Sequence, residues 1–262
     1  MDPLPSTRHP VPDPDLPELS PEVRETYAWQ LDVDGFGEAG QRRLQSASVL
    51  VSRVGGLGGN VALQLAAAGV GHLILAHGGN LTPSDLNRQV LMSHAGLGQP
   101  RMPAAVERLK ALNPRLRITA LAEQVSERTV RDLVAAADLV VDCAPRFEER
   151  YLLNRESVAQ RRPMVECAVY GLELHLTTLV PGKTPCLRCL YPELSSTWTR
   201  RFPVFGAVAA VAGGLAAMEA IKQLSGLGNA LHGRLLTLDL RTHRMTTVRI
   251  RRVPGCIDCG AL

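Results

Sequence analysis

Three observations predict an α/β fold in which one mixed sheet runs parallel through its first half and antiparallel through its second, with helices on both faces. Apolar runs of strand length at residues 49–51, 73–75 and 139–143 alternate with segments 61–68, 103–112 and 130–137, whose apolar residues recur at helical spacing. That alternation is the pattern of a parallel sheet covered on both sides. A cluster of Gly55, Gly56, Gly58 and Gly59 joins the first such strand to the first such helix. In the second half, residues 172–179, 234–240 and 245–250 read as strands that follow one another around a single long helix, which suits antiparallel pairing.

Taken in order, residues 1–21 are proline-rich and carry several acids, so they read as a disordered leader rather than a signal peptide, and the single domain is expected to span 22–262. Residues 22–44 look like a helix, a loop and a short amphipathic helix that delivers the chain to the first strand. Residues 49–75 then form strand, glycine turn, helix and strand, a Rossmann-like nucleotide-binding unit. Its glycines leave no Cβ between backbone N–H groups and a phosphate at the positive end of the helix. Simple tight strand-to-helix packing is the alternative for such a turn. Residues 77–91 form a polar loop that gathers Asp85, Asn87, Arg88 and Gln89 beside it. The helix at 103–112 is stopped by Asn113 and Pro114; residues 116–121 alternate as a strand, and the buried strand 139–143 ends in the loop Ala144, Pro145, Arg146. Residues 164–169 are strand-like and 172–179 alternate as a half-exposed strand. A loop with Trp198, Arg200 and Arg201 leads to a small-residue helix at 205–224, whose Gly206, Gly213 and Gly214 suggest a buried or subunit-facing element.

Four of the six cysteines form two CxxC pairs, Cys186 with Cys189 and Cys256 with Cys259. Each pair lets two thiolates meet one ion through a tight turn, and together they supply the tetrahedral sulfur set that zinc prefers at roughly 2.3 Å per bond. With four protein ligands the ion has no open position, so its role is structural and it staples the chain's end to its middle. The alternative is two unrelated turns with buried thiols; neither pair opens a helix in the manner of a redox dithiol. Cys143 and Cys167 stand alone in apolar segments and read as packed thiols.

Composition excludes other classes. With 45% hydrophobic and 21% charged residues the chain is a globular protein with a full core. Its apolar stretches are rich in Ala and interrupted by polar residues, so no membrane span and a cytoplasmic location are expected. The net charge of +4 is modest, and the run Arg249, Arg251, Arg252 lacks interleaved aromatics, so no nucleic-acid partner is expected. An NAD-dependent oxidoreductase would need an acid near the end of the second strand, where His77, Gly78 and Gly79 stand.

The ordered motifs GGLGG, LNRQVL, LNP, VVDCA, RYLLN, PCLRC, MEAIK and CIDCG over about residues 22–260 resemble the ThiF/MoeB/HesA family, relatives of ubiquitin-activating enzymes. LILAHGGNL, SDLNRQVLM, MVECAVYGLELHLTTLVPG and RRFPVFGAV are most similar to its HesA-type members, found with nitrogen-fixation genes. The resemblance implies ATP-dependent adenylation of a C-terminal carboxylate, often that of a sulfur-carrier protein, a homodimer, a structural zinc held by Cys186, Cys189, Cys256 and Cys259, and a Mg-ATP site. It places Gly55, Gly56, Gly58, Asp85, Arg88, Gln89 and Arg101 at the nucleotide, with Arg88 and Arg101 as catalytic cations on the phosphates.

The sequence departs from that family at the site itself. Arg53 replaces the first glycine of the turn, His77 and Gly79 replace the acids after the second strand, Asp85 replaces an asparagine, Arg101 a lysine, Pro145 the magnesium-binding aspartate, and Trp29 an arginine lent across the dimer. The oxygen ligands Mg²⁺ requires are lost, with Asp85 the nearest that remains. Residues 194–205 contain no cysteine to take a thioester. Two readings follow: a HesA-type adenylyltransferase with a degraded site, assisting sulfur-carrier or nitrogenase metal-cofactor assembly, or a non-catalytic dimeric binding module on the same fold. Whether the Arg53 side chain fills the phosphate space separates them.

Overall fold

A computed structural model of the chain describes residues 16–193 and 203–262. The leader expected at 1–21 therefore lies mostly outside the described residues, as do Trp198, Arg200 and Arg201. The described chain packs before residue 22: Leu19 is buried against Val23 and Tyr27, and Ser20 caps the first helix.

The elements are α1 (Pro21–Thr26), α2 (Ala28–Leu31), α3 (Gly37–Ser46), β1 (Ser48–Val51), α4 (Gly56–Ala67), β2 (His72–Ala76), α5 (Arg101–Leu112), β3 (Arg117–Leu121), α6 (Val130–Ala135), β4 (Leu139–Asp142), α7 (Phe147–Ala159), β5 (Met164–Tyr170), β6 (Glu173–Leu179), α8 (Leu187–Leu190), α9 (Gly206–Ser225), β7 (Arg234–Asp239) and β8 (Arg244–Arg249). They build one 8-stranded sheet in the order β3-β2-β1-β4-β5-β6-β7-β8. Pairing is parallel from β3 to β5 and antiparallel from β5 to β8, the mixed sheet the sequence predicts. Strands β1, β2 and β4 are almost wholly buried because helices cover both faces, which is why they read as unbroken apolar runs. The chain moves from β1 to β2 on one side and returns to place β4 on the other, so the carboxyl ends of β1 and β4 flank a topological switch point.

One core lies between the sheet and α4, α5 and α9; a second lies on the opposite face under α6, α7 and α8. Helix α9 is long and apolar enough to cross a membrane by composition, yet it packs along α4, α3, β5 and β6 with Val208, Ala209, Ala212, Ala216, Ala217 and Ala220 buried. Close approach explains two of its glycines: a Cβ on Gly206 would lie 2.3 Å from the Asn87 carbonyl oxygen and one on Gly213 2.5 Å from Asn60 Cβ. Gly214 faces open space. The half-exposed alternation expected of residues 172–179 holds only at the start of β6. Thr177 and Thr178 are both buried because each hydroxyl finds an internal acceptor, the Leu231 carbonyl and the Glu219 carboxylate.

Candidate functional site

The glycine turn leaves β1 at Ser52 and enters α4 at Gly56. A Cβ on Gly58 would stand 1.6 Å from the Arg53 carbonyl oxygen and 3.1 Å from Cys143 Cβ, so the first turn of α4 is pressed onto the backbone before it and onto the loop after β4. Only glycine permits this approach. The first N–H groups of a 12-residue helix thus open into the crevice beside the switch point, where an anion is favoured.

The polar residues chosen from the sequence do converge there. Asp85 is buried and nearly used up. Its Oδ2 accepts from the Thr82 N–H at 3.0 Å and hydroxyl at 2.8 Å, its Oδ1 from Gln89 Nε2 at 2.7 Å, and Arg88 and Arg101 each approach at 3.4 Å. Burial opposes its charge, but these donors outweigh burial and lower its pKa. Arg101 spends all five guanidinium N–H groups internally, on Gly79 O, Asn80 O, Asp85, Gln89 Oε1 and His77 Nε2. It cross-links the loop and contributes charge to the crevice rather than a spare donor. Arg88 donates to Ser84 O, Asn87 Oδ1 and Asp85, and its stem lies over Gly56, where a Cβ would be 2.9 Å from Arg88 Cγ. That leaves Nε and one Nη2 hydrogen of Arg88 without an acceptor among the described residues.

Arg53 does not stand alone at the turn. Its Nε lies 3.0 and 2.9 Å from the two oxygens of Glu149, and Nη2 lies 2.5 Å from Oε2, while Nη1 has no protein partner among the described residues. Burial raises the Glu149 pKa and the guanidinium opposes that shift. Glu149, on α7, was not visible as a site residue from the sequence. Neither was the network beyond it. Arg150 sits between Asp142 at 2.9 Å and Glu166 at 2.7 Å, and Glu166 also meets His175 Nε2 at 3.2 Å. Burial dominates Asp142 and pushes its pKa up to about 6. A signal did exist: a carboxylate ends the apolar run Leu139, Val140, Val141, Asp142 and another interrupts Met164, Val165, Glu166, Cys167, and buried acids demand a buried cation. Pro145 offers no oxygen ligand from its side chain, and with Asp85 and Glu149 engaged, the described crevice holds no free carboxylate for Mg²⁺.

The candidate metal centre is separate, toward the opposite ends of the parallel strands. The four sulfurs of Cys186, Cys189, Cys256 and Cys259 all lie within 4.8 Å of one another. Individual separations are 3.9 Å for Cys186–Cys189, 3.6 Å for Cys186–Cys256 and 3.5 Å for Cys189–Cys259, close to the ~3.8 Å edge of a tetrahedron with ~2.3 Å zinc–sulfur bonds. The set fits zinc. Val253 N–H points at Cys189 Sγ at 3.4 Å, and Asn154 of α7 ties the two halves together by accepting from Leu187 N–H and donating to Asp258. Cys143 and Cys167 are buried, and burial raises both thiol pKa values, as packed thiols require.

Comparison with known proteins identifies the family. The ThiF family model matches residues 27–257. The chain is 48% identical over 243 residues to the heterocyst protein HesA of Trichormus variabilis, covering 92% of this chain and 91% of that one. It is 36% identical to the sulfur carrier protein adenylyltransferase of Thermus thermophilus, covering 91% of this chain and 92% of the other. Among solved structures, Escherichia coli MccB with ATP superposes with a TM-score of 0.78 at 24% identity, covering 90% of this chain and 74% of that one, a likeness of fold. The chain belongs to the ThiF family, with HesA proteins and sulfur-carrier adenylyltransferases among its relatives.

Proposed function

We propose that this chain is a HesA-like ATP-binding protein whose own adenylation chemistry is weak, and that it acts as a cytoplasmic homodimer assisting a sulfur-carrier or nitrogenase metal-cofactor assembly protein. One observation carries the reading: each carboxylate at the glycine turn is already engaged, Asp85 by Thr82, Gln89 and two arginines and Glu149 by Arg53, so phosphate charge is met by guanidinium groups instead of Mg²⁺. Arg88 and Arg53 keep spare donors for the phosphates, and the backbone at Gly55, Gly56 and Gly58 forms the cradle. Two features support the dimer. Trp29 is 92% exposed, where the family resemblance puts an arginine reaching a second copy, and α9 exposes Val211 and Met218 next to the open Gly214.

The second reading, a non-catalytic dimeric module on the same fold, is favoured by Arg101, which has no donor left for a transition state. Pyrophosphate exchange and nucleotide titration separate the two. ATP is expected to bind with little dependence on Mg²⁺ and more weakly at high salt, with exchange slow or absent until a partner is added. Brisk Mg²⁺-dependent exchange by the isolated protein with a carboxylate substrate overturns the proposal in favour of a self-sufficient adenylyltransferase. Exchange that stays absent with every partner supports the module.

A further inference from the structure

One cation of the glycine turn is bound to a carboxylate along one edge and left open along the other. Arg53 stands two residues past β1, and its carbonyl is the one against which Gly58 is pressed, so its backbone is part of the turn. Glu149 lies in the first turn of α7, is 6% exposed, and takes the Arg53 guanidinium by Nε and Nη2 alone. A guanidinium is a planar fork with five N–H groups. Its second edge, Nη1 with the other Nη2 hydrogen, therefore points away from Glu149. Nη1 has no acceptor among the described residues, and the side chain keeps 15% of its surface exposed. The guanidinium is near the turn as well as α7: its charge, after burial and the charge of Arg101, disfavours protonation of His77, whose ring lies 3.6 Å from the place a Cβ would take on Gly55.

A guanidinium already fixed by a buried carboxylate loses little further freedom when its open edge meets a second anion. Mg²⁺ at the same place needs hard oxygen ligands. Both Glu149 oxygens are taken by Arg53, both Asp85 oxygens have donors, and the Pro145 side chain offers none. The residues present do not fit the metal. They fit a cation that belongs to the chain. We infer that Arg53, held by Glu149, is the resident cation of the phosphate site and stands in for a divalent metal. The ligand that follows is a nucleotide polyphosphate in its metal-free form, met by the open Nη1–Nη2 edge as a bidentate pair. It follows too that Glu149 is a metal ligand masked by Arg53, and that removing the guanidinium exposes it. The inference rests on the reading that the glycine turn binds a nucleotide, and it names the residue that makes binding independent of metal.

Isothermal titration of ATP into the full-length zinc-loaded protein, at fixed ionic strength with and without Mg²⁺, tests it. The wild-type Kd is expected to change less than about threefold when Mg²⁺ is added. Arg53→Gly is expected to weaken metal-free ATP at least about tenfold, the loss of a charge-assisted contact, and Mg²⁺ is expected to recover most of that loss through the freed Glu149. Arg53→Gly combined with Glu149→Gln should show the same metal-free loss and no recovery. The double variant buries no unpaired carboxylate, so it keeps the test standing if the single variant does not fold. Metal-free binding by either variant as tight as wild type overturns the inference and makes the pair structural; tighter binding overturns it in favour of Arg53 as a plug. A loss in Arg53→Gly that Mg²⁺ leaves unrecovered overturns the exchange of cations, as does a wild-type affinity that rises about tenfold or more with Mg²⁺. Each of these leaves nucleotide binding intact. Folded wild-type protein that binds no ATP in either condition overturns the nucleotide reading itself.

Discussion

At the scale of single residues, the site shows how identity and availability differ. Asp85, Arg88 and Gln89 were legible in the sequence as a cluster and Arg101 through the family resemblance, and the fold brings them together. That Arg101 would spend every donor on its own loop was not legible, because its acceptors are two backbone carbonyls and three side-chain atoms whose directions depend on the folded turn. The two arginines should therefore separate by mutation. Arg88→Ala removes a side chain with spare donors and few structural ties, so nucleotide affinity is expected to fall about tenfold or more while the urea midpoint barely moves. Arg101→Ala leaves Asp85 short of a cation and strips two carbonyls of a donor inside a half-buried loop. It is expected to cost on the order of 2–3 kcal/mol of stability. Equal losses of stability from the two variants, read from urea unfolding, would refute this division.

At the scale of elements, helix periodicity located α4, α5, α6 and α9, but α7 escaped it. Its buried side carries Glu149, Arg150, Asn154 and Ser157, so the period of burial is not a period of hydrophobicity. The glycines divide in the same way. The sequence places Gly58 in the strand-to-helix turn and Gly214 in the small-residue helix, both as positions of close approach, yet one abuts backbone and the other open space. Gly58→Ala must push its Cβ against the Arg53 carbonyl at 1.6 Å, with no flexible side chain to yield, and is expected to cost more than about 4 kcal/mol or to prevent folding. Gly214→Ala adds a methyl where nothing lies within 4 Å and is expected to gain about 0.5–1 kcal/mol in helix stability for the single subunit. Thermal unfolding at low protein concentration checks both signs. A loss confined to concentrations at which the wild type is dimeric would place Gly214 in the subunit contact.

At the scale of the molecule, the mixed sheet was readable because its two halves obey different patterns, continuous apolar strands where helices cover both faces and alternating ones near the edge. The distance between its two sites was not readable, since sequence order says nothing about which end of a strand faces which ligand. The parallel strands point their carboxyl ends at the glycine turn, while β6 runs the opposite way and delivers Cys186 and Cys189 to the other end of the sheet. There they meet Cys256 and Cys259 from the segment after β8, so an ion held by all four would close the path from β6 through α9 and the β7–β8 hairpin back onto itself. Closing so long a loop limits the unfolded chain, and four thiolates without a cation between them would repel in the folded one. One zinc per chain is expected by elemental analysis. Its removal by a chelator, or Cys256→Ser, is expected to lower the thermal midpoint by at least several degrees and to open the segment after β8 to protease. Nucleotide affinity measured well below that midpoint should change less than about twofold, because β1, α4 and the loop holding Arg88 contact none of the four cysteines. A metal-free chain with an unchanged midpoint would reduce the cysteine cluster to packed thiols, and a matching loss of nucleotide binding would mean that the two ends of the sheet fold as one inseparable unit.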